Sequence, residues 1–285
     1  MKTTAEQKRI RLKEIFLREG CTPVPGVYDA LGARMAEKTG FDAIYLGSFA
    51  TATSVLGQPD AGCVTMTEMV SHAKNVANSV DIPLICDAEN GFFHAANIWR
   101  TVREFEMAGV AAIHIEDHEF GKHTSLPPVL LDTDRMCKKI EAAVAARTDK
   151  NFMIIARTDA GWAMQSFDEM INRANRYLEA GADVAFLAHD PSYVTKEMRD
   201  RVKGPVLMTG SHLSSAKRDT ETGLNVTIYY PLLINAAFVA MKEVLEQFKE
   251  TQDASKLGKY NVPEKALYEY IPMDEFIEKS KKFLL

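Results

Sequence analysis

Three short apolar runs of the sequence each end in charged residues. The runs and the residues that follow them are 84–86 with Asp87 and Glu89, 111–115 with Glu116, and 153–156 with Arg157. Asp87 and Glu89 are two positions apart, so an extended chain would turn both side chains to the same side. Three carboxylates this close repel one another unless a cation neutralises them, and a hard divalent ion prefers oxygen ligands. The set predicts a metal site, with helix capping as the alternative for any single acid.

Other polar residues lie beside the same predicted strand ends. Arg157 carries the planar guanidinium that binds a carboxylate or phosphonate with two hydrogen bonds, and a structural ion pair is the alternative. Asp60 follows the second predicted strand in a loop, where alone it would be an ordinary turn residue. Ser48 lies among small residues whose backbone N–H groups could hold a carboxylate, although turn geometry explains them equally well.

A long irregular connection, residues 117–132, follows the strand that ends at Glu116. Long loops within compact domains are usually functional or disordered, and we interpret this one as a gating lid over the pocket. His123 lies in this lid and His189 near the end of the sixth predicted strand, so both are functional candidates. We interpret His72 and His114 as structural.

The elements that must position these residues repeat along the chain. A helix end, a glycine and a strand start recur at Gly40, Gly109 and Gly181, which is typical of alternating helices and strands. Strands are predicted near 22–25, 43–48, 83–87, 111–116, 153–157, 183–188, 204–208 and 226–230. Helices are predicted near 29–38, 66–79, 95–108, 133–147, 168–180 and 231–248. Eight such units predict a (β/α)8 TIM-type barrel, whose strand ends gather around one pocket. An open doubly wound sheet is the alternative, weakened because no Gly-x-Gly-x-x-Gly follows the first strand.

Composition excludes several classes of protein. Of the 285 residues, 46% are hydrophobic and 26% are charged, which excludes disordered and collagen-like chains. No apolar run reaches the length of a membrane span, and the first 20 residues have a charged helical pattern, so we expect no membrane partner and a cytoplasmic location. The net charge of −5 argues against a nucleic-acid partner. The four cysteines are far apart, which argues against a zinc site or a disulfide framework.

The predicted units set the domain organisation. We expect a catalytic barrel over residues 1–250 and a C-terminal helical tail over 251–285. Because the tail lies beyond the eighth unit and carries several aromatic residues, we expect it to pack on a neighbouring subunit or across the barrel.

Several phrases in the same order resemble the isocitrate lyase/phosphoenolpyruvate mutase superfamily. They lie at residues 25–30, 57–62, 65–69, 99–106, 113–117 and 154–160. The resemblance covers residues 20–245. It implies a (β/α)8 barrel, a Mg²⁺ or Mn²⁺ ion and a small anionic 2-oxo or 2-hydroxy acid as substrate. It also implies a homotetramer in which the last barrel helix is swapped between subunits.

The resemblance also implies roles for individual residues. By position, Asp87 resembles the direct metal ligand, and Glu89 and Glu116 resemble partners that act partly through water. The residues with an implied catalytic role are Asp60, Lys122, His123, Thr124, Ser125 and Arg157. The residues with an implied substrate-binding role are Tyr45, Gly47, Ser48, Phe49, Arg157, His189 and Asn235.

The sequence departs from the superfamily pattern at three places. The usual Asp-x-Asp-Thr-Gly is here 87–91, Asp-Ala-Glu-Asn-Gly, and glutamate is one methylene longer than aspartate. The lid sequence 122–126, Lys-His-Thr-Ser-Leu, lacks the cysteine that protonates the enolate in the lyase branches, and it resembles the lid of the phosphonopyruvate branch. Asn235 stands where an arginine is common.

We therefore predict a Mg²⁺-dependent lyase or decarboxylase that cleaves a carbon–carbon bond next to a 2-oxo or 2-hydroxy carboxylate through an enolate. The first alternative is the P–C chemistry of phosphonopyruvate, as a mutase or a hydrolase. The second is a non-catalytic barrel that binds an organic acid.

Overall fold

A computed structural model describes residues 3–120, 122–211 and 214–284, and ten strands lie within them. They are β1 (Thr22–Pro25), β2 (Ile44–Leu46), β3 (Leu84–Asp87), β4 (Ala112–Glu116), β5 (His118–Phe120), β6 (Val129–Leu130), β7 (Met153–Thr158), β8 (Val184–Leu187), β9 (Val206–Thr209) and β10 (Val226–Tyr229). Strands β1–β4 and β7–β10 form one parallel sheet in chain order, while β5 and β6 form a separate antiparallel hairpin. Every predicted strand is present within a few residues of its expected position.

The sheet closes on itself. Strand β1 pairs with β10 in parallel, and Gly26 bridges to Tyr45, whose carbonyl accepts a hydrogen bond of 2.8 Å from the N–H of Val27. A Cβ atom at Gly26 would lie 2.3 Å from the carbonyl oxygen of Tyr230, so the closure requires glycine. The predicted barrel is thus confirmed, and the open doubly wound alternative is wrong.

Twelve α-helices lie within the described residues. They are α1 (Ala5–Leu17), α2 (Ala30–Thr39), α3 (Ser48–Thr51), α4 (Met66–Ala77), α5 (Ile98–Met107), α6 (Thr133–Ala146), α7 (Ala160–Ala163), α8 (Phe167–Glu179), α9 (Lys196–Asp200), α10 (Ala216–Thr222), α11 (Leu232–Thr251) and α12 (Met273–Phe283). In the described part of the chain, none is both long and apolar enough to cross a membrane.

Local signals in the sequence explain where these helices begin and end. The side chain of Asp29 caps α2 by accepting a hydrogen bond of 2.6 Å from the N–H of Gly32, and Thr65 and Glu68 cap α4 reciprocally. Gly109 follows α5 with a φ of +88°, in the left-handed region that favours glycine. The predicted helix–glycine–strand phrase is therefore a real structural unit.

Side chains along the strands alternate between the barrel interior and the helical layer. Tyr45, Ile85 and Phe186 belong to the interior cluster, together with side chains of α1, which closes the amino-terminal end of the barrel. Cys86 lies instead in the cluster between the sheet and the helices. This places Cys86 on the opposite side of β3 from Asp87, as the alternation predicts.

Apart from Leu233 and Ile234, which pack in the cluster between the sheet and the helices, the described C-terminal part of the chain lies outside these clusters. In α11 only Ile234 is buried, and large apolar side chains such as Phe238, which is 62% exposed, lack cover from their own chain. Two short 3₁₀ segments and α12 follow, and the described residues of this tail include no buried side chain. The tail is helical, as predicted. The helix swap and the domain boundary at residue 250 stay predictions.

Candidate active site and metal centre

The carboxylates predicted to bind a metal lie together at the carboxyl-terminal ends of two neighbouring strands. Asp87 ends β3 and Glu116 ends β4, and ligand oxygens of Asp87, Glu89 and Glu116 all lie within 4.8 Å of one another. All three residues are buried. Glu89 approaches the others by a route that simple strand alternation does not predict. It lies past β3 with a φ of +50°, and its N–H donates a hydrogen bond of 2.8 Å to Asp87 Oδ1.

Ser48 holds the other oxygen of Asp87. Its N–H, at the start of α3, and its hydroxyl lie 3.1 and 2.9 Å from Asp87 Oδ2. The same hydroxyl lies 2.9 Å from Asp60 Oδ1. Since a hydroxyl has one proton, it can donate to only one of these carboxylates at a time. Ser48 thus orients the acids, and its implied role in binding a substrate carboxylate stays a prediction.

Lys122 reaches into the acid cluster from the lid. Its Nζ lies 2.6 Å from Glu89 Oε2, 3.2 Å from Glu116 Oε1 and 3.9 Å from Asp60 Oδ1, and the residue is buried. One ammonium group therefore contacts three carboxylates. This arrangement ties the lid to the site by charge-assisted contacts.

The acids of the cluster differ in their ease of ionisation. Burial raises the pKa of Glu116 to about 8, although Lys122 and Arg157 oppose this shift. Burial and the charge of Asp87 also raise the pKa of Glu89. Burial alone would raise the pKa of Asp87 too, but nearby positive charges outweigh it and hold that pKa below its usual range. The single positive charge of Lys122 therefore does not fully neutralise the negative charge of the acid cluster.

The donor set fits a hard divalent cation. Glu89 Oε1 is buried without a hydrogen-bond partner, and buried carboxylate oxygens require such a partner or a metal. Oxygen donors from Asp87, Glu89 and Glu116 suit Mg²⁺ or Mn²⁺, whereas cysteine or histidine ligands would indicate a softer ion. The cluster therefore has both the geometry and the unsatisfied charge that a metal centre needs.

Arg157 lies beside the cluster, and it makes ion pairs while still facing a cavity. Its Nε donates a hydrogen bond of 2.7 Å to Asp159 Oδ1, and its Nη1 lies 3.1 Å from Glu116 Oε2. Asp159 is in turn 3.0 Å from His118 Nδ1. The guanidinium also stacks over the ring of Phe186 at 5.2 Å. These contacts fix the group in one orientation and leave its remaining N–H groups for an anion.

Two cavities meet at the acid cluster. The larger has a volume of about 570 Å³, and the predicted site residues that line it are Tyr45, Gly47, Phe49, Asp60, Asp87, His123, Arg157 and His189. The smaller, about 320 Å³, is lined by Glu89, Glu116 and Lys122 among others. Asp60 and Asp87 thus lie where a ligand in the larger cavity would meet a cation bound by the cluster.

The lid begins as the β5–β6 hairpin. His123 follows Lys122 with a φ of +52°, stacks on Trp162 with ring centroids 6.3 Å apart, and has its Nε2 3.7 Å from Asp60 Oδ2. Thr124 and Ser125 are exposed at the tip and do not line either cavity. Their catalytic role stays a prediction that this arrangement does not support.

Asn235 lies away from both cavities, and His114 lies beneath the acid cluster. Asn235 is exposed on α11 and lines neither cavity. His114, which we interpreted as structural, lies fully buried under the site, with Nε2 2.9 Å from Tyr45 Oη and 3.7 Å from Asp87 Oδ1. Burial lowers its pKa to about 4, so the ring is neutral at pH 7. Strand alternation predicts this position, because His114 precedes Glu116 by two residues and the two side chains therefore point to the same side of β4.

A closed parallel barrel with a carboxylate cluster and an arginine at its carboxyl-terminal face is typical of barrel enzymes, and its carboxylates suit a divalent cation. Residues 12–249 match the phosphoenolpyruvate phosphomutase family. The chain belongs to this family, within the isocitrate lyase/phosphoenolpyruvate mutase superfamily, and the predicted membership is confirmed.

Relatives with assigned activities cover most of the chain. The chain is 35% identical over 247 residues to 2,3-dimethylmalate lyase of Eubacterium barkeri, which covers 84% of this chain and 85% of the relative. It is 36% identical over 257 residues to 2-methylisocitrate lyase of Aeropyrum pernix, which covers 86% and 81%.

Solved structures share the fold over nearly the whole chain. The phosphoenolpyruvate phosphomutase of Streptomyces platensis subsp. rosaceus superposes with a TM-score of 0.90, at 29% identity, over 97% of this chain and 99% of that one. A phosphonopyruvate hydrolase solved with oxalate and Mg²⁺ gives a TM-score of 0.86, at 27% identity, over 99% of both chains. The chain is an enzyme of this superfamily, and the predicted class, a metal-dependent carbon–carbon lyase, fits the two lyase relatives.

Proposed function

We propose that this enzyme cleaves the C2–C3 bond of a 2-hydroxy dicarboxylate. The observation that carries the proposal is that a buried, incompletely neutralised carboxylate cluster and the fixed guanidinium of Arg157 border one cavity. A cation and an arginine on either side of a small diacid can bind its two carboxylates separately. The names of the lyase relatives support the same reaction class.

The chain's own residues then divide the work. Asp87, Glu89 and Glu116 would hold Mg²⁺ or Mn²⁺, and the bound cation would lower the pKa of the 2-hydroxyl group and stabilise negative charge on oxygen. Asp60 would accept the hydroxyl proton, and two observations support this role, because Asp60 lines the cavity and accepts a hydrogen bond from Ser48. Arg157 binds the carboxylate on C3, where the electron pair of the broken bond accumulates as an enolate.

Atoms and charges balance in this reaction. The hydroxyl oxygen loses its proton and becomes the keto oxygen of a 2-oxo acid, and the C2–C3 bond breaks. The bonding pair moves onto the C3 carboxylate as an enolate, and C3 then takes up one proton. His123 and Lys122 of the lid are the candidate donors of that proton, because the lid sequence between them and Leu126 contains no cysteine.

Phosphonopyruvate chemistry is the second candidate. It is favoured by the lid, which has Thr124 and Ser125 in place of the cysteine motif, and by the likeness to the phosphomutase structure. A 2-oxo acid is a product of the first reaction and the substrate of the second, and both reactions would need a divalent cation. They differ in the bond that breaks, so substrate turnover separates them.

The test is a substrate panel with the purified enzyme and Mg²⁺. We expect 2-hydroxy dicarboxylates to yield a 2-oxo acid, detected by a coupled dehydrogenase, and we expect EDTA to stop turnover and Mg²⁺ or Mn²⁺ to restore it. Release of phosphate from phosphonopyruvate, or its conversion to phosphoenolpyruvate, without cleavage of any 2-hydroxy acid would instead support the second candidate. Activity that persists in EDTA would contradict the metal-dependent mechanism.

We also propose a homotetramer and a cytoplasmic location. The exposed apolar side chains of α11 support assembly between subunits through this helix. The cysteines of the chain are all unpaired, which is typical of a reducing compartment. Light scattering measures the molar mass of the purified protein and so tests the proposed homotetramer.

A further inference from the structure

The segment between β3 and α5 has an unusual backbone conformation. Glu89, Gly91 and Phe92 have φ values of +50°, +89° and +60°, all in the left-handed region. Glycine tolerates this region, but glutamate and phenylalanine adopt it only at a cost in free energy. Residues 89–92, which we call the Glu89 loop, therefore need contacts with the rest of the protein to keep this conformation.

The conformation of the Glu89 loop sets the position of the Glu89 carboxylate. The N–H of Glu89 donates a hydrogen bond of 2.8 Å to Asp87 Oδ1, and its carbonyl oxygen accepts one of 2.9 Å from the N–H of Glu116. The carboxylate of Glu89 lies in the same cluster. Since the φ angle fixes where the Cβ atom points, a loop that relaxed to another φ would carry this carboxylate away from the other two.

Thr101 holds the Glu89 loop from α5. Its side chain is fully buried, and its hydroxyl donates a hydrogen bond of 2.7 Å to the carbonyl oxygen of Gly91. A threonine hydroxyl within a helix often bonds a carbonyl oxygen one turn earlier in the same helix, whereas this hydroxyl bonds a residue outside the helix. The contact therefore connects the loop to the layer of helices around the barrel.

Lys139 holds the neighbouring carbonyl group of the loop from α6. It is 6% exposed, and its Nζ donates a hydrogen bond of 3.0 Å to the carbonyl oxygen of Asn90. Lys139 forms no ion pair within the described part of the chain, and burial lowers the pKa of its ammonium group. A buried lysine is usually paired with a carboxylate, because burial of an unpaired charge is unfavourable. The contact with the loop therefore explains the position of Lys139 better than a contribution to stability does.

We infer that Thr101 and Lys139 are positioning residues of the metal centre. Their hydrogen bonds to two successive carbonyl oxygens keep the Glu89 loop in its left-handed conformation, and the loop keeps the Glu89 carboxylate beside those of Asp87 and Glu116. Neither positioning residue lines either cavity. The inference rests on the cation that the proposed function requires, and it does not depend on the choice of substrate.

Calorimetric titration of the purified enzyme with Mg²⁺, without substrate, tests this inference. Thr101→Val removes the hydroxyl donor at nearly constant volume, while Thr101→Ser keeps it. Lys139→Met removes the ammonium group, and Lys138→Met is its control, because Lys138 is exposed on the same helix and pairs with Glu141 at 2.7 Å. We expect Thr101→Val and Lys139→Met to weaken Mg²⁺ binding by about tenfold or more, while the other two variants stay within about threefold of wild type.

A purely structural role predicts a different result. Urea denaturation in EDTA measures how much each substitution destabilises the metal-free protein, and a purely structural residue would lower that stability without changing the Mg²⁺ affinity. Folded Thr101→Val and Lys139→Met variants that bind Mg²⁺ as tightly as wild type would therefore overturn the inference. If Lys139→Met does not fold, the comparison of Thr101→Val with Thr101→Ser decides, and equal Mg²⁺ affinities of these two would overturn it.

Failure of the inference and failure of the proposed function give different results. If wild type binds Mg²⁺ but cleaves no 2-hydroxy dicarboxylate, and Thr101→Val and Lys139→Met weaken the binding, the lyase reaction is wrong and the inference stands. If wild type cleaves such a substrate with Mg²⁺ and both variants keep its Mg²⁺ affinity, the lyase reaction stands and the inference is wrong. A wild-type enzyme that binds neither Mg²⁺ nor Mn²⁺ would overturn both the metal assignment and the inference.

Discussion

The two ends of the barrel treat buried charge in opposite ways. At the amino-terminal end, Arg9 of α1 donates hydrogen bonds to the carbonyl oxygens of Glu106 and Val110 and pairs with Asp149 at 2.9 Å. Lys8 beside it donates to the carbonyl oxygens of two residues near the end of α4. Each buried cation there lies against acceptors supplied by the fold.

At the carboxyl-terminal end, like charges converge instead. Asp87, Glu89 and Glu116 approach one another, Glu89 adopts a left-handed φ, and one of its oxygens is buried without a hydrogen-bond partner. Such an arrangement is unfavourable for the folded chain alone, and it is typical of a site shaped for a ligand. The contrast assigns stability to one end of the barrel and chemistry to the other.

The largest expected effect on activity comes from the acid cluster. Asp87→Ala removes the carboxylate that Ser48 and Glu89 orient, so we expect it to abolish Mg²⁺ binding and lower kcat/KM by about 10³-fold or more. Thermal unfolding in EDTA should still be cooperative, because Asp87 lies in the site and a pocket acid contributes little to the core. Calorimetry measures the binding, and Asp200→Ala is the surface control. Unchanged Mg²⁺ affinity in Asp87→Ala would falsify the metal assignment.

We expect the second largest effect on activity from substitution of Arg157. Its guanidinium binds a carboxylate or phosphonate with two parallel hydrogen bonds that lysine cannot reproduce. Losing such a pair in a partly dry cavity costs about 2–5 kcal/mol of transition-state binding. We therefore expect Arg157→Lys to lower kcat/KM by about 30-fold or more, at about 1.4 kcal/mol for each factor of ten. Steady-state kinetics within threefold of wild type would show that Arg157 is purely structural.

A substitution at the amino-terminal end of the barrel should lower stability and leave activity nearly unchanged. Arg9→Met removes hydrogen bonds to two buried carbonyl groups and the stacking on Phe152, so we expect the free energy of unfolding to fall by about 2–4 kcal/mol. Urea denaturation measures this loss, and kcat/KM should stay within about twofold. Arg11→Met is the matched control, since Arg11 pairs with Asp42 at the surface, where such pairs contribute less than about 1 kcal/mol. A large loss of activity in folded Arg9→Met would contradict the division between the two ends.

The sequence predicted the barrel because its signals are local and repeated. Apolar strands, helix-ending glycines and capping residues each act within a few positions, and eight units leave few alternatives for their arrangement. The same locality explains the acid cluster, because neighbouring parallel strands bring Asp87 and Glu116 side by side.

Contacts between distant segments were beyond this reasoning. The approach of Lys122 to Glu89, the stacking of His123 on Trp162 and the burial of His114 depend on how the lid and the interior pack. Alternation along β4 turns the side chain of His114 to the same side of the strand as that of Glu116. We interpreted His114 as structural because it lies within an apolar run. The exposed positions of Thr124 and Ser125 follow from the hairpin, which the sequence did not reveal because β5 and β6 are short and irregularly paired.

The smallest effect on activity should come from the thiols. Cys63 is exposed, while Cys86 is buried behind Asp87. Burial raises the pKa of Cys21 to about 11, so about one thiol in a thousand is the reactive thiolate at pH 8. Iodoacetamide at pH 8 should therefore modify Cys63 first, and Cys21 should react faster as the pH rises towards 11, because the thiolate fraction rises with pH. Mass spectrometry identifies the modified residues.

Activity should stay within about twofold after Cys63 has reacted, because neither cavity is lined by a cysteine among the described residues. Cys63→Ser is the control, since it removes the reactive thiol without adding the bulk of the alkyl group. If alkylation inactivates wild type and Cys63→Ser alike, and substrate protects both, then a cysteine acts as the acid that protonates the enolate. The lid residues Lys122 and His123 would then lose their proposed role as proton donors. The chemistry assigned to the carboxyl-terminal end of the barrel would then have to include a cysteine thiol as well as charged groups.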